Sequence, residues 1–505
     1  VNTDFANALW GLPLKNGAFA RKIGYTSPLR KENGTTPRLR SNGFCTDDLM
    51  SKIQPRMPKG MRDILPADMQ RRHYVIQTIT ETFHAFGFEP IQTPVLELHE
   101  TLMGKYGEDA EKLIYLAHHA EGKEELAMRY DLTVPMVRFF AMHENELPLP
   151  FKRYQIAPVW RGDRPQRGRY REFYQCDADI VGIAGLEADA EVIALTATGI
   201  RRLGFRDFVT KVNTRKLLTG IGQYAGVEDA LLGSLYRTID KTDKIGLDGV
   251  AKEFRENGLP ESVITKMMEL VAASEGAIGV AAGQRVLAFL RERMKDFPVA
   301  IEAINDLQTL LGYIAQMGDV QENIGLDFTM VRGLSYYTGP IFESVLLSDD
   351  PEERMGSISG GGRYDDMIGL FRRESLPTVG TSFGIERLID LMDTRKLYPT
   401  TIARTVVQVL VAVMNETTKP TALQLASTLR NAGVNTELFM QENKPLGKQI
   451  GYADKKGIPL VVIAGDSEIA EGKVKIKRLA DTHEVTVAQA DLVQTVMQLL
   501  KSPSA

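Results

Sequence analysis

Cysteine is nearly missing from this chain: Cys45 and Cys176 are the only two in 505 residues. Two thiols are too few for a disulfide framework or a thiolate zinc site, and they fit a reducing compartment. Long apolar runs are missing too. The longest, such as 406–414, fall short of the roughly eighteen residues that a membrane-spanning helix needs, so no membrane partner is expected. Neither sign of charge dominates. Lys+Arg 61 against Asp+Glu 65 leaves a formal charge of -4, which excludes a polycation that coats nucleic acid indiscriminately, so any such contact must come from local patches. The familiar nucleotide and metal signatures do not occur either. There is no GxxxxGK(S/T) phosphate loop and no HExxH helix, and His118-His119 lacks partners at ligand spacing, so protein motifs point to no metal site.

What is present is an ordinary globular composition, 43% hydrophobic and 25% charged. At this length one hydrophobic core is exceeded and two or three domains are expected. Residues 1–46 mix Gly, Asn, Pro, Thr and scattered Arg/Lys with few acids and show no sustained period, so 1–56 reads as an N-terminal extension without a packed core. An arginine-rich, acid-poor leader has the texture of a transit peptide, and organellar import is one reading of it. The plainer reading is an unstructured or cloning-derived segment, with Met50-Ser51-Lys52 as the natural start.

From Pro58 the pattern is regular. Val75, Ile76, Ile79, Phe83 and Phe86 recur at helical spacing behind Asp68 and stop at Gly87, which predicts an amphipathic helix of about five turns. Pro90 and Pro94 then confine GFEPIQTPVLEL to a sheet edge or an irregular pairing, because proline cannot donate to a ladder. Residues 217–321 read as a helical insertion with breaks near Gly258-Leu259-Pro260 and Gly276. Sheet-forming sequence resumes with strands expected at 327–331 and 341–346, a glycine-rich turn at Ser359-Gly360-Gly361-Gly362-Arg363-Tyr364, and TSFGIERLIDLM as a strand running into a helix. Beyond a joint near 398–404, β-rich runs alternate with helical stretches at 418–432 and 446–456, the rhythm of a largely parallel α/β unit.

The most informative segment is 159–175, VWRGDRPQRGRYREFYQ, in which Arg161, Arg164, Arg167, Arg169 and Arg171 alternate with glycine and polar residues between two strand-like runs. This predicts an antiparallel hairpin with the polar loop 162–170 at its tip. Guanidinium forks pair bidentately with phosphate oxygens and keep their charge at any relevant pH, so the loop suits a polyphosphate or a nucleic-acid backbone. With no phosphate loop available, a nucleotide would have to be held by side chains on an antiparallel sheet.

PKGMRDILP, RYDLTVP at 129–135, the arginine hairpin up to Gln175, VRGLSYYTG at 331–339, GGGRYD at 360–365 and GTSFGIERL at 380–388 together resemble the class II aminoacyl-tRNA synthetases, and within them the histidyl-tRNA synthetase family. The likeness runs from Pro58 to the C-terminus in the family's order, and VRGLSYYTG is its most specific part. It implies an α+β fold: an antiparallel-sheet catalytic domain over 57–400 with the helical insertion at about 217–321, and an α/β anticodon-binding domain over 405–505. It also implies ATP-dependent activation of L-histidine to the adenylate and transfer to the 3′ end of tRNA(His). Magnesium would accompany ATP, and the protein would be a cytoplasmic homodimer.

By the same resemblance, Arg161 and Arg332 lie near the α-phosphate and the histidine carboxylate, where fixed cations shield charge during in-line attack. An ordinary ion pair on the sheet is the alternative for each. Phe173 stacks adenine, Arg387 covers its other face and reaches the γ-phosphate, and Asp163 positions ATP or simply forms a turn. Asp131, Thr133 and Gln175, with Leu132 between, hold the α-ammonium. Asp179, Tyr336, Tyr337 and Tyr364 frame the imidazole, with core packing the alternative for Tyr337. Arg164, Gln166, Arg167 and Arg169 reach the tRNA acceptor end, including its extra 5′ guanosine. Lys473, Lys475 and Lys477 contact anticodon-arm phosphates or form a solvated face. Ser335 departs from the acid that many family members carry, which puts that acid's role in fixing the tyrosines in doubt. Two other functions share the core: a synthetase-like regulatory subunit of ATP phosphoribosyltransferase, and a synthetase for another amino acid. Loss of the anticodon-binding domain would mark the former.

Overall fold

The computed structural model describes residues 54–501 apart from 105, 107, 240, 332–335, 442 and 443. The extension expected over 1–56 lies almost wholly outside the described residues, as do Arg332 and Ser335.

The central sheet is built from β1 (Glu89–Pro90), β2 (Phe151–Trp160), β3 (Glu172–Val181), β4 (Phe208–Thr214), β5 (Ile324–Leu326), β6 (Pro340–Leu346), β7 (Ser359–Arg363) and β8 (Thr378–Gly384). Their order is β1-β2-β3-β8-β7-β6-β4-β5. All neighbours run antiparallel except the two outermost pairs, β1 with β2 and β4 with β5. The proline-bearing segment takes the edge, as its missing donors require: Pro90 lies opposite Tyr154, and Ile91 N–H donates to the Tyr154 carbonyl.

Alternation along β3 divides the sheet into two chemistries. Cys176, Ala178 and Ile180 point to the helical side and join Phe83, Val192, Ile193 and Phe383 in the main core. Gln175, Asp177 and Asp179 face the other way. Helix α1 (Pro66–Ala85) opens with Pro66 in its first turn and is closed after Phe86 by Gly87 at φ +75, as the sequence predicts. Helix α2 (Thr133–His143) stands on the cavity side. Helix α3 (Leu186–Arg202) crosses the sheet closely enough that a Cβ on Gly199 would come within 2.8 Å of the Phe383 ring.

The glycine-rich turn expected at 359–364 is instead a central strand. Strand β7 pairs with β6 on one side and β8 on the other. Its glycines serve close packing rather than a turn. A Cβ on Gly361 would collide with the Gly380 carbonyl and lie 2.6 Å from Phe342, and one on Gly362 would lie 2.8 Å from the Pro340 carbonyl and 2.9 Å from Tyr337. The strand expected at 327–331 is also displaced. Residues 324–326 form β5, and Asp327 then ends it by accepting the Thr329 N–H at 2.8 Å, a local turn that competes with a ladder.

The insertion leaves the sheet at β4 and returns at β5, its neighbour in parallel register. Its helices include Arg215–Ala225, Glu261–Ala272, Val280–Arg293 and Pro298–Ile314, with breaks at Gly258 (φ +83) and Gly276 (φ +68). Leu217, Ile264, Leu287, Leu307 and Leu311 belong to the same buried cluster as α3, so these helices continue the main core rather than forming one of their own.

The C-terminal unit is a five-stranded sheet. Val409–Val411, Thr436–Leu438 and Leu460–Ile463 run parallel, and Lys473–Arg478 and Glu484–Ala488 are added antiparallel. Helices Lys419–Asn431 and Leu446–Lys456 fall where the sequence places them. On the basic strand, Lys473 pairs with Glu471 at 2.9 Å and Lys477 with Glu484 at 2.7 Å. Exposed pairs of this kind contribute about 0–1 kcal/mol, so they order the lysines without committing them.

Candidate active site

A cavity of about 420 Å³ opens on the polar face of β3, walled by the hairpin, α2, β7 and β8. Its lining includes Asp131, Thr133, Arg161, Asp163, Arg169, Phe173, Gln175, Asp179, Tyr336, Tyr337, Tyr364 and Arg387. Most of the residues singled out by sequence are therefore gathered in one place, although they span more than half of the chain.

The arginine hairpin pairs Trp160 with Glu172 and continues without a break to Phe151 opposite Val181. Its tip closes in a turn: Gln166 and Arg169 exchange backbone hydrogen bonds of 3.1 and 2.9 Å around Gly168, whose φ of +69 favours glycine. Arg161 leaves the strand and donates from Nε to the Tyr130 carbonyl at 3.0 Å. Its guanidinium carbon lies 4.4 Å from the Tyr130 ring centre and 5.2 Å from that of Phe173. Guanidinium planes held between two π faces are pre-oriented cations.

Asp163 is largely buried. It accepts from Arg169 at 2.8 Å through Oδ1, and its carbonyl accepts from Arg171 Nε at 3.0 Å. Asp163 therefore both lines the cavity and organises the tip. Arg164, Gln166, Arg167 and Arg169 are all exposed, and of the four only Arg169 also lines the cavity. Arg387, on helix α4 (Ile385–Arg395), donates to the Ser357 carbonyl and passes close to Gly168, which ties the helix to the hairpin tip.

Leu132 is a correction. Its side chain is fully buried in an apolar cluster with Ala157 and Val159, against which Phe173 packs, and it does not line the cavity. Its neighbours Asp131 and Thr133 point the other way and do. Asp131 Oδ1 accepts from the Val134 N–H at 3.1 Å and the Tyr106 hydroxyl at 2.8 Å. Burial raises the Asp131 carboxyl above its ordinary range, and the Arg161 charge opposes the shift.

The aromatic wall is continuous. Tyr336 and Tyr337 have ring centres 4.8 Å apart, and Tyr364 stands edge-on to Tyr336 at 5.9 Å. The Tyr364 hydroxyl donates to Asp179 Oδ1, and Asp179 Oδ2 lies 2.5 Å from Arg153. Burial lifts the Tyr336 and Tyr364 hydroxyls well above their ordinary range, and the neighbouring Asp179 carboxylate adds to the effect on Tyr364, so both stay neutral donors.

Four contributors escape sequence reasoning. Tyr106 braces Asp131. Arg153 is fully buried and opposes Asp179 across the strands. Asp177 lies between Gln175 and Asp179 on the cavity face. Glu386 is buried, forms ion pairs with Arg62 and Arg72, and accepts the Tyr174 N–H at 3.4 Å. A signal for Arg153 and Asp177 existed: Arg153 and Gln155 on one strand and Gln175, Asp177 and Asp179 on the other put five polar residues on one face of a predicted hairpin.

The solved histidyl-tRNA synthetase from Nostoc sp. PCC 7120 superposes with a TM-score of 0.78 at 32% identity, covering 88% of this chain and all of that one. An antiparallel sheet of this topology, with its central cavity and appended α/β unit, is the class II aminoacyl-tRNA synthetase architecture. A family model described as histidyl-tRNA synthetase matches residues 60–388, and one described as anticodon binding domain matches 408–499. Histidine–tRNA ligases from Bacteroides fragilis (38% identical, 87% of this chain and 98% of that one) and Aeropyrum pernix (40%, 90% and 100%) are similar throughout. The chain belongs to the histidyl-tRNA synthetase family. A solved ATP phosphoribosyltransferase regulatory subunit/histidyl-tRNA synthetase from Bacillus halodurans C shares the fold alone, at 21% identity and a TM-score of 0.64.

Proposed function

We propose that this protein activates L-histidine with ATP and transfers it to the 3′ end of tRNA(His). The observation that carries the reading is the cavity itself. Acceptors for an ammonium (Asp131, Gln175), a carboxylate–tyrosine frame for imidazole (Asp179, Tyr364) and a clamped cation (Arg161) open into one space. Within it, Asp131, Thr133 and Gln175 hold the α-ammonium, and Asp179, Tyr336, Tyr337 and Tyr364 hold the ring. Arg161 and Arg332 offset charge on the α-phosphate and the attacking carboxylate. The Phe173 ring takes adenine, with Arg387 covering it and Asp163 steadying the arginines.

Magnesium arrives with the nucleotide as its counter-ion; among the described residues no cluster of His, Cys, Asp and Glu is placed to hold a metal. The exposed Arg164, Gln166 and Arg167, with Arg169, receive the acceptor end of tRNA, and the 405–505 unit receives the anticodon. The catalytic domain, 57–400, works as a homodimer in the cytoplasm. No helix among the described residues is long and apolar enough to cross a membrane.

The regulatory-subunit alternative is disfavoured by the match of 408–499 to an anticodon binding domain. Exchange of labelled pyrophosphate into ATP, run with a panel of amino acids, tests the reading. Histidine-dependent exchange is expected, followed by charging of a tRNA(His) transcript. Absence of exchange with every amino acid would restore the regulatory reading, and exchange with a different amino acid would name another synthetase.

A further inference from the structure

Asp177 has no assigned role, yet it is 3% exposed and lines the cavity. The alternation of β3 places it on the same face as Gln175 and Asp179, about 7 Å from each along the strand. Register sets Ser382 of β8 beside it and Arg153 of β2 opposite Asp179. Both oxygens of Asp179 are engaged, one by the Tyr364 hydroxyl and the other by Arg153. The hydrogen-bonding neighbours of Asp177 are neutral: Gln175 Nε2 at 3.4 Å and the Ser382 hydroxyl. Beside it, Gln175 Oε1 is buried without a hydrogen-bond partner. A carboxylate with spare acceptor capacity next to an unsatisfied amide oxygen, both facing a cavity, calls for a ligand rich in N–H donors and positive in charge.

We propose that Asp177, together with Gln175 Oε1, is a specificity-determining contact for the α-ammonium of the amino acid, and that binding of this cation drives a proton from the Asp177 carboxyl to solvent. The inference rests on the reading of the cavity as a histidine site. The groups that act on Asp177 are Arg153 on β2, Asp179 on its own strand, Ser382 on β8 and Asp131 ahead of α2. Burial and the two neighbouring carboxylates outweigh Arg153 and Ser382 and push the Asp177 carboxyl up to about 7. At about pH 7 the Asp177 carboxyl is then partly protonated and an entering ammonium favours its anion, so that Arg153 and Arg161 need not balance three buried carboxylates alone.

The test compares histidine with imidazole propionate, its analogue lacking the amino group, by calorimetry in two buffers of different ionisation enthalpy. At about pH 7 the wild-type protein should release more protons on binding histidine than Asp177→Asn does, with no such difference between the two proteins for the analogue, a comparison in which each ligand's own imidazole ionisation cancels. Asp177→Asn should also weaken histidine about tenfold or more, while changing the analogue less than about twofold. Equal proton release by the wild-type and Asp177→Asn proteins on binding histidine would overturn the proposal, as would parallel losses of affinity for both ligands in the variant. If the wild-type protein bound neither ligand, the histidine reading would fail and the proposal with it.

Discussion

Arg153 and Asp179 stand opposite one another in the β2–β3 register with a guanidinium nitrogen 2.5 Å from the carboxylate, and Arg153 is wholly buried. Asp179 lines the cavity, and Arg153, which does not reach it, backs that carboxylate from behind. Arg153 also offsets Asp177, so one cation stabilises two carboxylates.

Replacing that cation leaves two buried acids unopposed. Arg153→Leu should destabilise the fold by about 3–5 kcal/mol, the usual consequence of orphaning a buried ion-pair partner. Chemical denaturation measures the loss. Histidine binding should fall even at temperatures where the variant is fully folded, and a variant of unchanged stability would show that Arg153 does not carry this charge.

Asp177 links stability to pH. A carboxyl at about 7 in the folded chain and near its ordinary value when unfolded binds a proton more tightly in the fold, so its contribution is full at low pH and is lost as pH rises through about 7. Asp189, raised to about 6 by burial despite its pairing with Arg363, acts in the same direction. Asp177→Asn should therefore raise Tm at about pH 8 and change it little at about pH 4, as scanning calorimetry at the two pH values would show. An equal change at both would contradict the assignment.

Gly60 lies at φ +83, and a Cβ there would come within 2.7 Å of Pro165 and 3.0 Å of Arg171. Its carbonyl also accepts the Arg171 N–H at 2.9 Å, so the 58–63 segment supports the arginine hairpin from outside. Gly60→Ala should cost about 1–3 kcal/mol and shift the tip. The expected kinetic signature is a raised KM for ATP with the KM for histidine nearly unchanged; the reverse pattern would place the support elsewhere.

Arg387→Ala should also act on ATP. Loss of one charge-assisted contact to a phosphate corresponds to about tenfold or more in affinity. Nucleotide titration in the absence of histidine would measure it, and undiminished ATP affinity would remove Arg387 from the nucleotide site.

Much of this site was legible in sequence because its chemistry is local. Arg161, Asp163 and Arg169 announce themselves by alternating with glycine between two strands, and Pro90 can occupy only an edge. What was not legible depends on the third dimension. The glycines at 360–362 have a turn's composition, but the close approach of β6 and β8, which no local pattern encodes, makes them a strand. Leu132 shares a motif with Asp131 and Thr133 yet faces Ala157 and Val159, because side chains one residue apart diverge. Nothing within its own strand marks Arg153 as buried; β3, opposite it, supplies the acids that make its burial tolerable.

The insertion's departure and return through adjacent strands, β4 and β5, has a mechanical consequence. Both of its chain connections meet the sheet at one rim, six strands along the order from β1 and beyond β6 from the carboxylates of β3. Helices added, lengthened or lost there would pull on that margin through the chain, while their packing on α3 would carry the change into the core behind Cys176, Ala178 and Ile180.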